Sequence, residues 1–187
     1  MTEAMSARVM REIIEPTLVG MKARGAPYRG VLFAGLMITK DGPKLIEFNA
    51  RFGDPETQVM LPRLNEDLLP LLMQCAHGNL RSEPVKLQNK TAMTVVYAAT
   101  GYPENPQKGS VIRHVEKAEA MDETIVFHAG TKREGDKLLA NGGRVLNITG
   151  LGGNVREARD RAYAGLDLIE WPEGFCRRDI GWRALKG

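Results

Sequence analysis

One short stretch of the sequence alternates apolar side chains with side chains that bind cations and phosphates. The polar members are Glu47, Asn49 and Arg51, and they alternate with the apolar residues Ile46, Phe48, Ala50 and Phe52. Successive side chains point to opposite faces of a strand, so we expect the polar ones to share a face and the apolar face to be buried. A carboxylate, an amide oxygen and a guanidinium would then lie side by side, as chemistry on phosphate groups requires.

Two interpretations of this strand are open. Magnesium prefers oxygen ligands, typically carboxylates together with phosphate oxygens, and Arg51 offers a planar fork of donors to such oxygens. The alternative is a half-buried strand with a solvated polar face, since alternation is the commonest strand pattern. Asp54 and Glu56 follow directly, and three acids beside a single arginine would repel one another without a cation. This crowding favours the metal site.

The elements before and after this strand are predicted from their patterns. Residues 2–24 read as a helix that kinks or restarts near Glu15, because Pro16 interrupts it. Residues 31–39 and 44–52 are predicted to pair as a hairpin across a Lys-Asp-Gly-Pro turn, since Asp-Gly is a strong hairpin signal. Residues 68–76 are predicted to form a helix that Gly78 ends.

A polar stretch at residues 81–90 divides the sequence and favours a domain boundary. We therefore predict one domain over residues 1–84 and a second, small α+β domain over residues 85–187. Asn154 with Glu157 three residues later has the pattern of a helix cap. The strands predicted for the second domain are 91–99, 111–114, 124–129 and 144–149.

Composition and charge restrict the functional classes. The 187 residues are 43% apolar and 26% charged, which is typical of a soluble globular protein. The net charge is +3 without a cluster of Lys or Arg, so no nucleic-acid partner is expected. The apolar runs are too short to cross a bilayer, and no secretory signal core is present. With two widely spaced cysteines, reduced thiols and a cytoplasmic location are expected.

Two motifs give this region a family resemblance. The run RFGDPETQ at residues 51–58 resembles the signature of the glycinamide ribonucleotide synthetases, also called phosphoribosylamine–glycine ligases. The preceding EFN at residues 47–49 is similar to the metal-binding Glu-x-Asn of the ATP-grasp superfamily. The resemblance continues through residues 101–103, 127–132, 141–146 and 176–184, and so extends over nearly the whole chain.

The resemblance implies an α+β fold in which the C-terminal half of an ATP-grasp domain precedes a small α+β domain. It implies an enzyme that joins glycine to 5-phosphoribosylamine in de novo purine biosynthesis, giving glycinamide ribonucleotide, ADP and phosphate. In the family, ATP phosphorylates the glycine carboxylate, and the amine of phosphoribosylamine then attacks the glycyl phosphate.

The resemblance also assigns roles to five residues. Glu47 and Asn49 would hold Mg²⁺, or Mn²⁺, against the phosphates of ATP. Arg51 would be the catalytic residue that stabilises charge on the reacting phosphoryl or carboxylate group. Asp54 and Glu56 would orient substrate or hold Arg51, and the sequence leaves both roles open.

Two features depart from the family pattern. Family members have an N-terminal substrate domain and an ATP lid ahead of this segment. The sequence upstream of Thr2 contains neither. Many ATP-grasp relatives also carry an acid on the strand preceding Glu-x-Asn, whereas residues 31–38 have none. The chain is therefore expected to be part of an enzyme, to need the missing N-terminal part as its partner, and to be inactive alone.

Two alternatives remain. One is a catalytically silent fragment that only folds or pairs with the missing part. The other is an ATP-grasp ligase of the biotin carboxylase type, which shares a Glu-x-Asn-x-Arg strand, although the continuation FGDPE at residues 52–56 favours the synthetase. The histidines lack metal-ligand spacing: His77 is expected at a helix end, and His114 and His128 on separate strands.

Overall fold

The computed structural model describes residues 2–186. The helices are α1 Glu3–Val9, α2 Glu15–Ala23, α3 Thr57–Met60, α4 Leu68–His77, α5 Val115–Glu119, α6 Val155–Leu168 and α7 Trp182–Leu185. The strands are β1 Phe33–Thr39, β2 Gly42–Asn49, β3 Thr91–Ala99, β4 Val111–Ile112, β5 Thr124–His128, β6 Thr131–Glu134, β7 Lys137–Ala140, β8 Arg144–Gly152 and β9 Gly174–Phe175. This mixture confirms the predicted α+β class.

The described residues form two compact units. The first contains residues 2–53 and 67–84, and the second contains residues 54–66 and 85–186. The chain thus crosses between the units after residues 53, 66 and 84. The domain limits 1–84 and 85–187 stay a prediction.

The N-terminal helical region of the first unit restarts where Pro16 enters, as predicted. Residues Met10–Ile14 form a π-helical turn after α1, and α2 begins at Glu15 with Pro16 in its first turn. Proline has no N–H and its ring clashes with the carbonyl four residues earlier. The wider π turn accommodates this missing donor before regular α-helix resumes.

Strands β1 and β2 pair as an antiparallel hairpin in which Thr39 lies opposite Gly42. The turn is therefore the two residues Lys40 and Asp41, shorter than predicted, and β2 begins at Gly42 rather than Lys44. Gly42 has a φ of +115°, and a Cβ there would meet the Arg8 guanidinium. Arg8 Nη2 also donates to the Asp41 carbonyl, at 3.0 Å. Glycine at this position lets the arginine close over the turn.

Helix α4 begins at the predicted residue and stops at Gly78 as predicted, with its last helical residue one later than predicted. The Asp67 side chain accepts a hydrogen bond from the Leu69 N–H at 3.0 Å, which caps the first turn. Gly78 takes a left-handed conformation with a φ of 75° and ends the helix. His77 lies at this end, with Nδ1 2.8 Å from the Met73 carbonyl.

The second unit is built on a four-stranded antiparallel sheet with the order β5-β8-β3-β9. Helix α6 packs against β8 and β3, and the core that they share is buried (Val95, Tyr97, Leu146, Ile148, Ala162, Leu166 and Trp171). Asn154 caps α6 as predicted, because its side chain accepts from the Glu157 N–H at 3.0 Å. A smaller sheet has the order β4-β7-β6.

Several elements of the second unit differ from the predictions. Strand β4 ends at Ile112, because His114 adopts a left-handed φ of 63° and the chain turns into α5. Strand β8 continues past Thr149 to Gly152. The short elements α3, α5, α7, β6, β7 and β9 were not predicted. No helix within residues 2–186 is long and apolar enough to cross a membrane.

Candidate functional site

Glu47 and Asn49 lie on the same face of β2, as the alternation predicts. Asn49 Nδ2 donates a hydrogen bond to Glu47 Oε1 at 3.2 Å. Gly35 on β1 lies directly opposite Glu47, and a Cβ at Gly35 would stand only 3.2 Å from the Glu47 Cγ. The missing side chain at Gly35 therefore leaves room for the Glu47 side chain to lie across the hairpin.

The chemistry of this pair fits a magnesium ion. The Glu47 carboxylate and the Asn49 amide oxygen are hard oxygen ligands of the kind that Mg²⁺ prefers, and Mg²⁺ commonly completes its shell with water and phosphate oxygens. Within residues 2–186 no group of three or more His, Cys, Asp or Glu side chains is arranged to hold a metal. Glu47 and Asn49 alone would therefore leave most of the coordination positions of a cation open to other ligands.

Arg51 is not part of the strand, which corrects the prediction. Strand β2 ends at Asn49, because Asn49 pairs with Phe33, the first residue of β1, and β1 offers no partner beyond it. Arg51 Nη1 donates to the Phe52 carbonyl at 3.0 Å, so the strand does not fix its direction. The predicted burial of the apolar face is also wrong, since Ile46 is 65% exposed.

Asp54, in the second unit, is held by two side chains of that unit. Arg144 Nη2 lies 2.9 Å from Asp54 Oδ2, and Arg144 Nη1 donates to the Asp54 carbonyl at 3.1 Å. Gln58 Nε2 donates to Asp54 Oδ1 at 2.9 Å. Both carboxylate oxygens are therefore used to shape residues 54–58, which we call the signature loop.

Glu56 differs from Asp54 in its surroundings. Its side chain is exposed, and it precedes α3 without a side-chain hydrogen bond to the helix. Within residues 2–186 no ion pair holds its carboxylate. Glu56 is thus available to a ligand, whereas Asp54 is engaged by the fold.

The five predicted residues divide between the two units. Glu47, Asn49 and Arg51 belong to the first unit, and Asp54 and Glu56 belong to the second. Sequence reasoning missed Arg144 and Gln58 as the partners of Asp54. Gln58 stands in the signature itself and Arg144 opens a predicted apolar strand, but nothing local relates Arg144 to a residue so distant in sequence.

A cavity of about 470 Å³ in the second unit brings His114 and His128 to one surface. His128 Nε2 lies 3.6 Å from Glu119 Oε1, and His114 Nε2 lies 3.5 Å from Glu170 Oε2. Both basic and acidic side chains line this cavity, Arg133 among them. Each imidazole thus has a carboxylate neighbour, and neither is arranged with other ligands for a metal.

Two family profiles match the chain in the order of its units. The profile described as "Phosphoribosylglycinamide synthetase, ATP-grasp (A) domain" matches residues 1–57, and the profile described as "Phosphoribosylglycinamide synthetase, C domain" matches residues 92–183. The chain belongs to the phosphoribosylglycinamide synthetase family. The family predicted from the signature is therefore confirmed.

Curated relatives of the synthetase family match along almost the entire chain. The phosphoribosylamine–glycine ligase of Mesorhizobium japonicum is 59% identical over 99% of this chain and 43% of its own length. The corresponding ligase of Brucella melitensis is 56% identical over 100% of this chain and 44% of its own length. The chain thus spans less than half the length of these relatives.

Solved structures agree with the synthetase family. The crystal structure of phosphoribosylamine–glycine ligase from Thermotoga maritima is 35% identical, with a TM-score of 0.83 over 96% of this chain and 44% of that one. The biotin carboxylase domain of Hydrogenobacter thermophilus 2-oxoglutarate carboxylase, solved with MgADP, has a TM-score of 0.63 at 15% identity over 100% of this chain and 40% of that one. The latter likeness shows the shared fold alone.

Proposed function

We propose that this chain is part of an ATP-dependent ligase that joins glycine to 5-phosphoribosylamine in de novo purine biosynthesis. The products are glycinamide ribonucleotide, ADP and phosphate. The observation that carries the proposal is the contact between Glu47 and Asn49 on one face of β2, in a chain of the synthetase family. Because the chain spans 43% of its Mesorhizobium relative, the remaining length of such an enzyme is a required partner.

Glu47 and Asn49 are proposed to hold Mg²⁺, or Mn²⁺, beside the phosphates of ATP. When bound, the cation supplies positive charge that offsets the charge developing on the transferred phosphoryl group. Glu47 contributes the one negative charge of the pair, and Asn49 contributes an amide oxygen while its Nδ2 orients the Glu47 carboxylate. The two residues therefore bind and orient the nucleotide rather than exchange protons.

Arg51 is proposed to stabilise the reacting groups. A glycine carboxylate oxygen attacks the terminal phosphorus of ATP, ADP leaves, and glycyl phosphate forms. The amine of phosphoribosylamine then attacks the glycyl carbonyl, phosphate leaves, and the new amide nitrogen loses a proton. Both steps place negative charge on oxygens, which a guanidinium stabilises. One N–H of Arg51 is used by the Phe52 carbonyl, which leaves its other donors for the ligand.

Asp54 and Glu56 are proposed to act at the substrate side in different ways. Asp54 shapes the signature loop through Arg144 and Gln58, so its effect on substrate is through the loop. Glu56 is exposed, and its carboxylate suits the ammonium group of glycine or the amine of phosphoribosylamine. Holding two substrates in the correct relative position contributes a large part of the rate acceleration in a two-substrate reaction.

The experiment joins this chain to the remaining length of the Mesorhizobium ligase and measures glycinamide ribonucleotide and ADP. We expect ADP release that requires both glycine and phosphoribosylamine, with one ribonucleotide formed per ADP. The parent ligase in the same assay is the control. A folded chimera that forms no ribonucleotide while the parent does would overturn the proposal. ADP release that depends on bicarbonate instead of glycine would favour the biotin carboxylase type.

A further inference from the structure

Asn147 is a buried amide that has no hydrogen-bond partner among the residues the structure describes. It lies in β8, which pairs with β3 on one side and β5 on the other, and it is 0% exposed. Neither its Nδ2 nor its Oδ1 has a hydrogen-bond partner within the described residues. Buried polar groups are nearly always hydrogen-bonded, because leaving them unpaired is unfavourable. A polar residue here, where an apolar one would pack, points to a bond that the protein's own side chains do not supply.

Asn147 shares its face of the sheet with Arg144 and Thr149. On β3 the alternate residues Thr94, Val96 and Ala98 face one side, and their partners are Thr149, Asn147 and Arg144, respectively. The register shift at Ala98 brings Arg144 onto this face although it is an odd number of residues from Asn147. The opposite face of β8 packs on α6, since a Cβ at Gly150 would meet the Ala158 carbonyl of that helix.

The signature loop is bound to the same row of residues at two points. Thr149 Oγ1 donates to the Gln58 carbonyl at 3.0 Å, and Arg144 holds Asp54. The Gln58 side chain reaches back toward Asp54, to which its Nε2 donates. Asn147 lies between Arg144 and Thr149 along β8, so it faces the loop between these two attachments.

Gln58 has an unpaired atom in this region. Its Oε1 is buried and has no hydrogen-bond partner within residues 2–186. The loop therefore carries one unpaired acceptor, Gln58 Oε1. The facing strand carries the side-chain amide of Asn147, whose donor and acceptor are both unpaired within the described residues. A buried water typically makes about three hydrogen bonds to such groups. Asn147 Nδ2, Asn147 Oδ1 and Gln58 Oε1 together offer that number.

We propose that Asn147 is a positioning residue of the signature loop, linked to Gln58 through a buried water. The link adds a third attachment, through the Gln58 side chain, to those that Thr149 makes with the Gln58 carbonyl and Arg144 makes with Asp54. Because the loop carries Glu56, Asn147 sets where this carboxylate meets substrate. The effect on substrate rests on the proposed function, whereas the effect on the loop does not.

The loop is tested in the 187-residue chain by hydrogen exchange of the Gln58 and Val59 amides. These amides donate to two carbonyls of the loop, those of Pro55 and Glu56, so their exchange reports the opening of the loop. Asn147→Leu keeps a similar volume without polar atoms, and we expect exchange to become roughly 3- to 10-fold faster, the loss of about one hydrogen bond. Asn147→Ser, which retains a donor and an acceptor, should exchange at close to the original rate.

Ile148→Val is the matched control, because Ile148 is equally buried but lies on the α6 face of the same strand. It should lower the melting temperature without accelerating exchange at Gln58. If Asn147→Leu does not fold, Asn147→Ala gives the same readout. Unchanged or slower exchange in Asn147→Leu or Asn147→Ala would show that Asn147 is a tolerated core polar residue, and would overturn the proposal.

The kinetic arm uses the chimera with the Mesorhizobium ligase. Asn147→Leu should raise the KM for glycine by roughly 3- to 10-fold, the same factor as the loop opening, with the KM for ATP unchanged. Asn147→Ser should restore the glycine KM. Equal changes in both KM values would contradict a role through the loop. A chimera without ligase activity would refute the proposed function alone, since the exchange arm still decides the role of Asn147.

Discussion

The Arg144 guanidinium contacts both the side-chain carboxylate and the backbone carbonyl of Asp54. One guanidinium nitrogen lies 2.9 Å from the carboxylate, and the other donates to the carbonyl at 3.1 Å. The two residues are 90 positions apart, so the contact closes a long stretch of chain onto the first residue of the signature loop. Both side chains are more than a third exposed, so the ion pair itself adds little stability. Its main consequence is the fixed position of the loop.

Arg144→Lys should loosen the loop more than it destabilises the protein. A lysine ammonium lacks the planar fork that reaches two acceptors at once. We expect the free energy of unfolding to fall by about 0.5–1 kcal/mol, with faster hydrogen exchange in residues 54–58. Chemical denaturation and exchange mass spectrometry measure both. Arg133→Lys, at an exposed position of β6, is the control. Exchange in the loop as slow as in the control would show that the contact does not position it.

The features that sequence analysis predicted well have local causes. The cap of α6 depends on Asn154 and Glu157, which are three residues apart. The shared face of Glu47 and Asn49 follows from the period of a strand. The strand at 91–99 agrees with β3 residue for residue, because its long apolar run is bounded by polar segments. In these cases the residues that determine the structure are neighbours in sequence.

The features that were missed depend on distant partners. Strand β2 ends at Asn49 because β1 begins opposite it at Phe33, which no pattern within residues 44–52 reveals. The hairpin of β6 and β7 has charged residues on both strands and a glycine at its turn, Gly135 with a φ of 56°, so its composition resembles a loop. The partner of Asp54 could not be predicted for the same reason.

The 187-residue polypeptide alone should form no glycinamide ribonucleotide. It spans under half the length of its curated relatives. We expect the rest of such an enzyme to be needed to enclose the substrates and exclude water. The purified chain is assayed with ATP, magnesium, glycine and phosphoribosylamine, with the chimera as positive control. Turnover of the isolated chain at about 1 per second or more, an ordinary enzyme rate, would contradict this expectation.

The first unit should be digested by proteases before the second. Its exposed large apolar side chains include Val19, Met37, Ile46, Leu69 and Met73, whereas the second unit has a continuous buried core. Uncovered apolar surface favours association and local opening. Limited proteolysis followed by mass spectrometry should show early cuts within residues 2–53 and 67–84, and size-exclusion chromatography should show self-association.

The control for this experiment is the chimera, in which the added length should slow the early cuts. Residues 85–186 should remain as a resistant fragment in both proteins. A monomeric chain whose first unit resists digestion as long as the second would show that the exposed apolar side chains do not destabilise it.

Glu47→Gln, made in the chimera, should impair the reaction far more than it impairs folding. The amide has the shape of the carboxylate but lacks the negative charge that is proposed to hold the cation on the phosphates. We expect kcat/KM to fall roughly 100-fold or more, equivalent to about 2.7 kcal/mol of transition-state stabilisation. The free energy of unfolding without ATP should change by less than about 1 kcal/mol, because Glu47 is exposed and exposed sites tolerate substitution.

Asn49→Ala should give a smaller loss in the same direction, and added magnesium should partly restore activity, because the Glu47 charge remains. Glu15→Gln is the control, since Glu15 is also an exposed acid of the first unit but lies on α2. The measurement is kcat/KM across a magnesium titration for the three variants. If the polar face of β2 is only solvated and holds no metal, Glu47→Gln should have the same kcat/KM as Glu15→Gln at every magnesium concentration. That result would remove Glu47 and Asn49 from the proposed mechanism.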